Sequence, residues 1–123
     1  MQSPRIADRI LRGGHDLGNH MMHHLDISAM DASGAYAEIE GCAQRPRALT
    51  GSIGRWFRPS RTQYATPPIE REARQAGYQT CVSYDVDSLD YTDPGPDANV
   101  SAIVRGPARR GLRPVTLTQL LSP

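Results

Sequence analysis

In the first dozen positions the apolar residues fall at Ile6, Ile10 and Leu11, the spacing of one helical face. Ser3-Pro4 ahead of them reads as a cap followed by proline at the first helical position, and Gly13-Gly14 stops the run. Asp16 to His20 predicts a brief strand entering a loop. From about Asp31 to Gln44 a second helix is predicted, with Tyr36, Ile39 and Ala43 on one face. Trp56-Phe57-Arg58 predicts a short strand ended by Pro59. Thr66-Pro67 opens a third helix by the same cap logic, closed at Gly77. Tyr78 to Tyr84 is the strongest strand pattern, with Val, Thr and two Tyr in seven residues.

Beyond it the pattern weakens. A loop holds five of the nine Asp residues: Asp85, Asp87, Asp90, Asp93 and Asp97. A weak helix is predicted around Val100 to Arg105, then a strand at Arg113-Pro114-Val115 and a terminal turn capped by Thr118. Strands separated by helices imply parallel pairing. The expectation is an α/β chain with about four strands and no internal repeat.

Composition narrows the class. At 123 residues the chain is the size of one domain, residues 1–123, able to bury roughly two-thirds of its unfolded surface. Eleven Gly and ten Pro make it loop-rich, short of the roughly 25–30% that marks low complexity. No apolar run approaches the length of a membrane span, so no transmembrane segment is expected. The net charge of +1 offers no field for nucleic acid. All fourteen basic residues are Arg, but Phe and Trp total two, too few for a stacking surface, and nucleic-acid binding is not expected. Cys42 and Cys81 lack Cys-x-x-Cys spacing and read as buried free thiols rather than a disulfide. The charged, apolar and small-residue regions of a signal peptide are not seen before Pro4, which gives no address for export.

Three features carry candidate chemistry. All four histidines, His15, His20, His23 and His24, lie within ten residues. His20 and His24, four apart, would share one face of a helical turn. Two neutral imidazoles so placed take adjacent positions on a divalent metal, with a carboxylate and water completing the shell. The plainer alternative is a polar loop whose histidines are solvated or capping. Arg58, at the end of a short apolar run, is a candidate carboxylate clamp or an ordinary surface arginine. The Asp-rich loop starts like a calcium-binding loop at Asp85 and Asp87, but the third ligand falls on Leu89, the required Gly on Asp90 and the closing Glu on Pro96. That match fails.

Taken together these residues resemble a family. Gly14-His-Asp-Leu-Gly-Asn-His-Met-Met-His-His24 is similar to the Gly-His-x-Ile-Gly-Asn-His-x-x-x-His segment of polysaccharide deacetylases, the NodB-homology domain of carbohydrate esterases. Trp56-Phe-Arg-Pro-Ser60 resembles their Arg-Pro-Pro motif, and Asp87-Ser-Leu-Asp-Tyr91 their Asp-x-x-Asp-Trp motif. Arg110 to Leu121 looks like their closing strand and helix. Any one motif is weak, but four in order over nearly the whole chain are specific.

The resemblance implies a metal-dependent hydrolase that removes N- or O-acetyl groups from a glycan of the chitin or peptidoglycan kind. The fold it implies is a partial, distorted (β/α) barrel without the first strands and a penultimate strand. By resemblance, His20 and His24 are ligands to a divalent metal, most often zinc, with cobalt or nickel as substitutes. Arg58 orients the catalytic base, Asp90 tunes the acid histidine, and Tyr91 takes the place of the Trp beside the acetyl pocket. Family members are secreted or associated with the cell envelope.

The departures matter equally. The family's Phe-Asp-Asp motif supplies the base and the third ligand, yet no two Asp are adjacent here. Its Leu-x-x-His motif supplies the acid, yet no His follows His24. Ser60 and Arg61 stand where the third motif has Pro and an aromatic residue. General base and general acid are therefore both missing, and an impaired catalyst is expected. The alternatives are a non-catalytic remnant that binds a glycan or a partner, and a small domain using its histidines for structural metal. The missing strands would leave open sheet edges through which copies of the chain self-associate.

Overall fold

Pro4 opens the first helix, α1 (Pro4–Arg12), as its fixed φ and missing N–H favour. The computed structural model describes residues 4–84, 87 and 89–122; Ser3 and Asp85, named in the patterns above, lie outside them. No residue of α1 is buried, and its apolar stripe of Ile6, Ile10 and Leu11 remains exposed. Strand β1 (Gly18–Asn19) follows, then a 3-10 turn over Ile27–Ala29.

The long helix α2 (Ala32–Thr50) starts at Asp31, whose carboxylate accepts from Gly34 N–H at 2.7 Å. It runs past the predicted end at Gln44 and through Pro46, and stops at Gly51, where φ is +79°. Packing outweighs the hydrogen bond that Pro46 cannot donate. The buried face is Ala35, Ile39 and Ala43, at four-residue spacing; Tyr36, predicted on that face, is turned outward. Strand β2 (Trp56–Phe57), helix α3 (Pro67–Gln75) and strand β3 (Thr80–Cys81) complete a βαβ succession.

The three strands form one parallel sheet in the order β1-β2-β3, with Gly18, Trp56 and Thr80 in one row and Asn19, Phe57 and Cys81 in the next. The predicted strand from Tyr78 to Tyr84 is thus ladder only at Thr80–Cys81. Arg58 N–H bonds the Asn19 carbonyl at 2.9 Å and Val82 N–H the Phe57 carbonyl at 2.7 Å, after which Pro59 has no N–H to continue. At the other end of β2, Gly54 has φ +81°, and a Cβ there would lie 2.6 Å from the Leu17 carbonyl oxygen. Only glycine lets β2 enter beside β1. Met21, Ile27, Ile39, Phe57, Ile69 and Tyr78 fill the core between the sheet and helices α2 and α3.

The chain divides into two compact units, residues 1–84 and 85–123. The second holds a 3-10 turn over Asp90–Thr92, short helices α4 (Pro96–Val100) and α5 (Gly106–Arg109) joined by a wider π turn over Ser101–Arg105, and α6 (Leu117–Leu121). None of its described residues is buried. The strand predicted at Arg113-Pro114-Val115 does not form, since the described residues of this unit contain no other strand to pair with. Helix α6 is capped by Thr116 rather than Thr118, in a reciprocal box with Gln119. No helix among the described residues is long and apolar enough to cross a membrane.

Candidate functional site

The parallel register decides what meets at the carboxyl ends of the strands. Because Asn19 is paired with Phe57, the next residues, His20 and Arg58, emerge side by side. This edge of an α/β sheet is where such folds collect ligands.

His20 is held by Arg58 at both ring nitrogens. Its Nδ1 lies 2.7 Å from the Arg58 carbonyl oxygen, and its Nε2 lies 2.7 Å from Arg58 Nη2. A carbonyl only accepts and a guanidinium only donates, so the proton sits on Nδ1 and the lone pair on Nε2. Burial lowers the His20 pKa from its ordinary value, and the charges of Arg58 and His24 act in the same direction, against the bond to the Arg58 carbonyl. The ring is therefore neutral near pH 7. The Arg58 guanidinium also stacks over the Tyr84 ring at 5.4 Å and reaches the Pro59 carbonyl at 3.4 Å.

His20 and His24 do meet, but not on a helix. Met21 and His24 take left-handed φ values of 68° and 55°, and the bend between them brings the two rings edge to face at 4.7 Å. Side chains from neighbouring segments fix this bend. Arg61 Nε donates to the His24 carbonyl, the Ser60 hydroxyl donates to the Leu25 carbonyl, and Glu38 of α2 accepts from His23 through both backbone N–H and ring Nδ1. Ser60 and Arg61, which replace the motif's Pro and aromatic residue, thus work as anchors for the histidine loop.

Beneath the loop lies a polar lock that sequence reading missed. Asn19, 1% exposed, donates through Nδ2 to the Ile39 carbonyl at 2.8 Å and to Tyr78 Oη at 3.1 Å, while its Oδ1 accepts from Met21 N–H at 2.9 Å. Tyr78 Oη in turn donates to the Ile53 carbonyl at 2.8 Å. The available signal was an Asn inside a predicted strand, a placement that calls for buried partners.

Among the described residues no group of three or more His, Cys, Asp or Glu side chains is placed to hold a metal ion. Two imidazoles, one with its free lone pair already bonded to a guanidinium, do not amount to a metal site. His15 lies before β1, lining a shallow groove with Leu11, Asp16, Arg55 and Trp56. Cys42 and Cys81 are free and half-buried, and burial pushes both thiols up, so neither is an activated nucleophile. Asp90 and Tyr91 belong to the second unit, on its 3-10 turn, where Tyr91 is 77% exposed. The first unit therefore gathers His20, His24 and Arg58, and the other two predicted residues belong elsewhere in the chain.

The model of the polysaccharide deacetylase family matches residues 1–81, almost the whole first unit. The chain belongs to the polysaccharide deacetylase family. A peptidoglycan-N-acetylglucosamine deacetylase of Bacillus cereus is 28% identical over 113 residues, covering 85% of this chain and 48% of that protein. The chain spans about half the length or less of the curated relatives it matches. The chitin deacetylase of the fungus Colletotrichum lindemuthianum shares the fold with a TM-score of 0.76 at 14% identity, over 97% of this chain and 67% of that one. A carbohydrate esterase family 4 pseudoenzyme of Bacillus anthracis does so with a TM-score of 0.67 at 20% identity, over 83% and 36%. The small parallel sheet and its helices are thus a portion of the deacetylase α/β barrel.

Proposed function

We propose that this chain is a deacetylase-family domain that engages an acetylated glycan of the peptidoglycan or chitin kind and hydrolyses its acetyl groups at most marginally. The observation that supports this reading is the register that sets His20 and Arg58 together at the carboxyl edge of the sheet, with His24 against His20. In the hydrolysis, water adds to the acetyl carbon, the bond from that carbon to nitrogen or oxygen breaks, and acetate leaves. A base must take the water's proton and an acid must protonate the departing group, each worth about 10²–10⁴-fold. Within these 123 residues there is no pair of adjacent Asp and no His after His24 to fill those roles. A divalent ion, zinc first and cobalt or nickel in its place, would find only His20 and His24 among the described residues, and binding would be loose. The test is acetate release from acetylated chitin and peptidoglycan oligomers with added zinc or cobalt. The expected result is a rate close to background; clear turnover that disappears in His20→Ala would overturn the impaired reading.

A second reading is a binding domain without turnover. Two observations favour it: the His20–Arg58 clasp satisfies the site's own hydrogen bonds, and the fold is also that of a pseudoenzyme. Retention of the chain on insoluble chitin or peptidoglycan, with no acetate released, would select it. As to partners, β1 and β3 each have one paired side in the three-stranded sheet. Self-association through those edges would appear as a concentration-dependent mass in sedimentation equilibrium.

A further inference from the structure

We propose that Arg58 is a built-in cation at His20, holding the Nε2 lone pair and competing with any divalent metal for it. Arg58 is anchored from four directions. Its backbone N–H is in the sheet ladder to Asn19, its carbonyl accepts from His20 Nδ1, its guanidinium stacks on Tyr84, and Nη1 reaches the Pro59 carbonyl. Nη2 is thereby delivered to His20 Nε2 at 2.7 Å, with the imidazole plane set by the bond at its other nitrogen. The Nδ1–H tautomer that this clasp selects is the same one a metal at Nε2 would need. The ring is thus pre-oriented for a metal and occupied by a guanidinium.

A metal ion entering at Nε2 must break a hydrogen bond from a charged donor and sit beside a fixed positive charge, because Arg does not lose its proton. Among the described residues no Asp or Glu joins the two imidazoles in a metal-holding group to offset that repulsion. Arg58 therefore sets the metal affinity of this half-site, and a carboxylate that draws the guanidinium away would open it. The inference concerns occupancy of Nε2 and holds whether or not the chain releases acetate.

The experiment is calorimetric titration of zinc chloride into the full chain and into Arg58→Ala, Arg58→Gln and the double variant Arg58→Ala/His20→Ala. Loss of one charge-assisted hydrogen bond is expected to tighten zinc binding by about tenfold or more in Arg58→Ala, and less in Arg58→Gln, which keeps a neutral donor. The double variant should lose that gain. Zinc binding by Arg58→Ala no tighter than wild type, or a gain that survives removal of His20, would overturn the proposal. A second measurement needs no variant: nitrogen-15 NMR of the metal-free wild type should show His20 protonated at Nδ1 and bare at Nε2. A proton on Nε2 would exclude the guanidinium bond and overturn the proposal as well.

Discussion

The two units of this chain reach opposite outcomes. Residues 4–84 bury Phe57, Tyr78 and Ile39 completely under two helices and hold three strands in register. Residues 87 and 89–122 bury none of their side chains to that degree, and Val100, Ile103, Leu112, Leu120 and Leu121 all stay exposed. The asparagines show the same contrast. Asn19 uses both amide hydrogens and its oxygen, whereas Asn99 Oδ1 is buried with no partner among the described residues. Distances between functional groups are held to within a few tenths of an ångström only where packing fixes the backbone. That is why the histidine–arginine clasp stands on the first unit.

The largest expected effect tests the packing half of the contrast. Phe57→Ala removes a fully buried ring that packs against Tyr78 at 6.1 Å between centroids, and should cost about 3–5 kcal/mol in urea denaturation. Leu112→Ala in the second unit should stay within about 0.5 kcal/mol. Equal losses at both positions would mean that the second unit has a core of its own.

Next in size is the polar lock. Asn19→Ala strands the Met21 N–H, the Ile39 carbonyl and part of the Tyr78 hydroxyl's bonding, for a loss of about 2–3 kcal/mol by the same assay. Because Met21 begins the bend to His24, the edge-to-face pairing of the two rings should loosen with it, visible as a changed His24 ring shift. Asn99→Ala should be neutral or slightly stabilising, since it removes a polar atom that has no partner among the described residues.

What was legible in the sequence follows the same division. The proline starts and glycine stops of α1 and α3 were visible because Pro4, Gly14, Pro67 and Gly77 act locally, although the Thr66 side chain makes no cap bond. The end of α2 was misplaced because Pro46 is a local signal that tertiary packing of Ala35, Ile39 and Ala43 overrides. The strand at Arg113-Pro114-Val115 was read from residues with strand preference, but a strand needs a neighbour, and sequence does not show one. In the site, the motif match located His20, His24 and Arg58. It carried over Arg58's role toward a base and not its contact with His20, which arises from the register Asn19–Phe57 and from no pattern within either motif.

A smaller effect concerns acid. Hydrogen bonding from His23, through ring and backbone, holds the Glu38 carboxyl below the usual carboxylate range despite some desolvation. A depressed carboxyl binds fewer protons folded than unfolded, so its contribution is present above the unfolded value and is lost as pH falls through the folded one. Urea midpoints measured from about pH 7 down to about pH 3 should fall less steeply at the acid end in Glu38→Gln than in wild type. Superimposable acid limbs would show that the clamp between α2 and the histidine loop does not persist in solution.

The smallest expected effect is at Asp90, the residue whose role by resemblance is to tune an acid histidine. No histidine follows His24 in this chain, and Asp90 belongs to the second unit, on a turn closed by its own backbone carbonyl accepting from Asp93 N–H. Asp90→Ala should therefore leave acetate release from acetylated oligomers where wild type has it, with or without added zinc. Any residual release should instead respond to His20→Ala, whose ring stands at the sheet edge. A drop in acetate release in Asp90→Ala as large as that in His20→Ala would place both units in one working site, and the division between a chemical and an accessory half of this chain would be wrong.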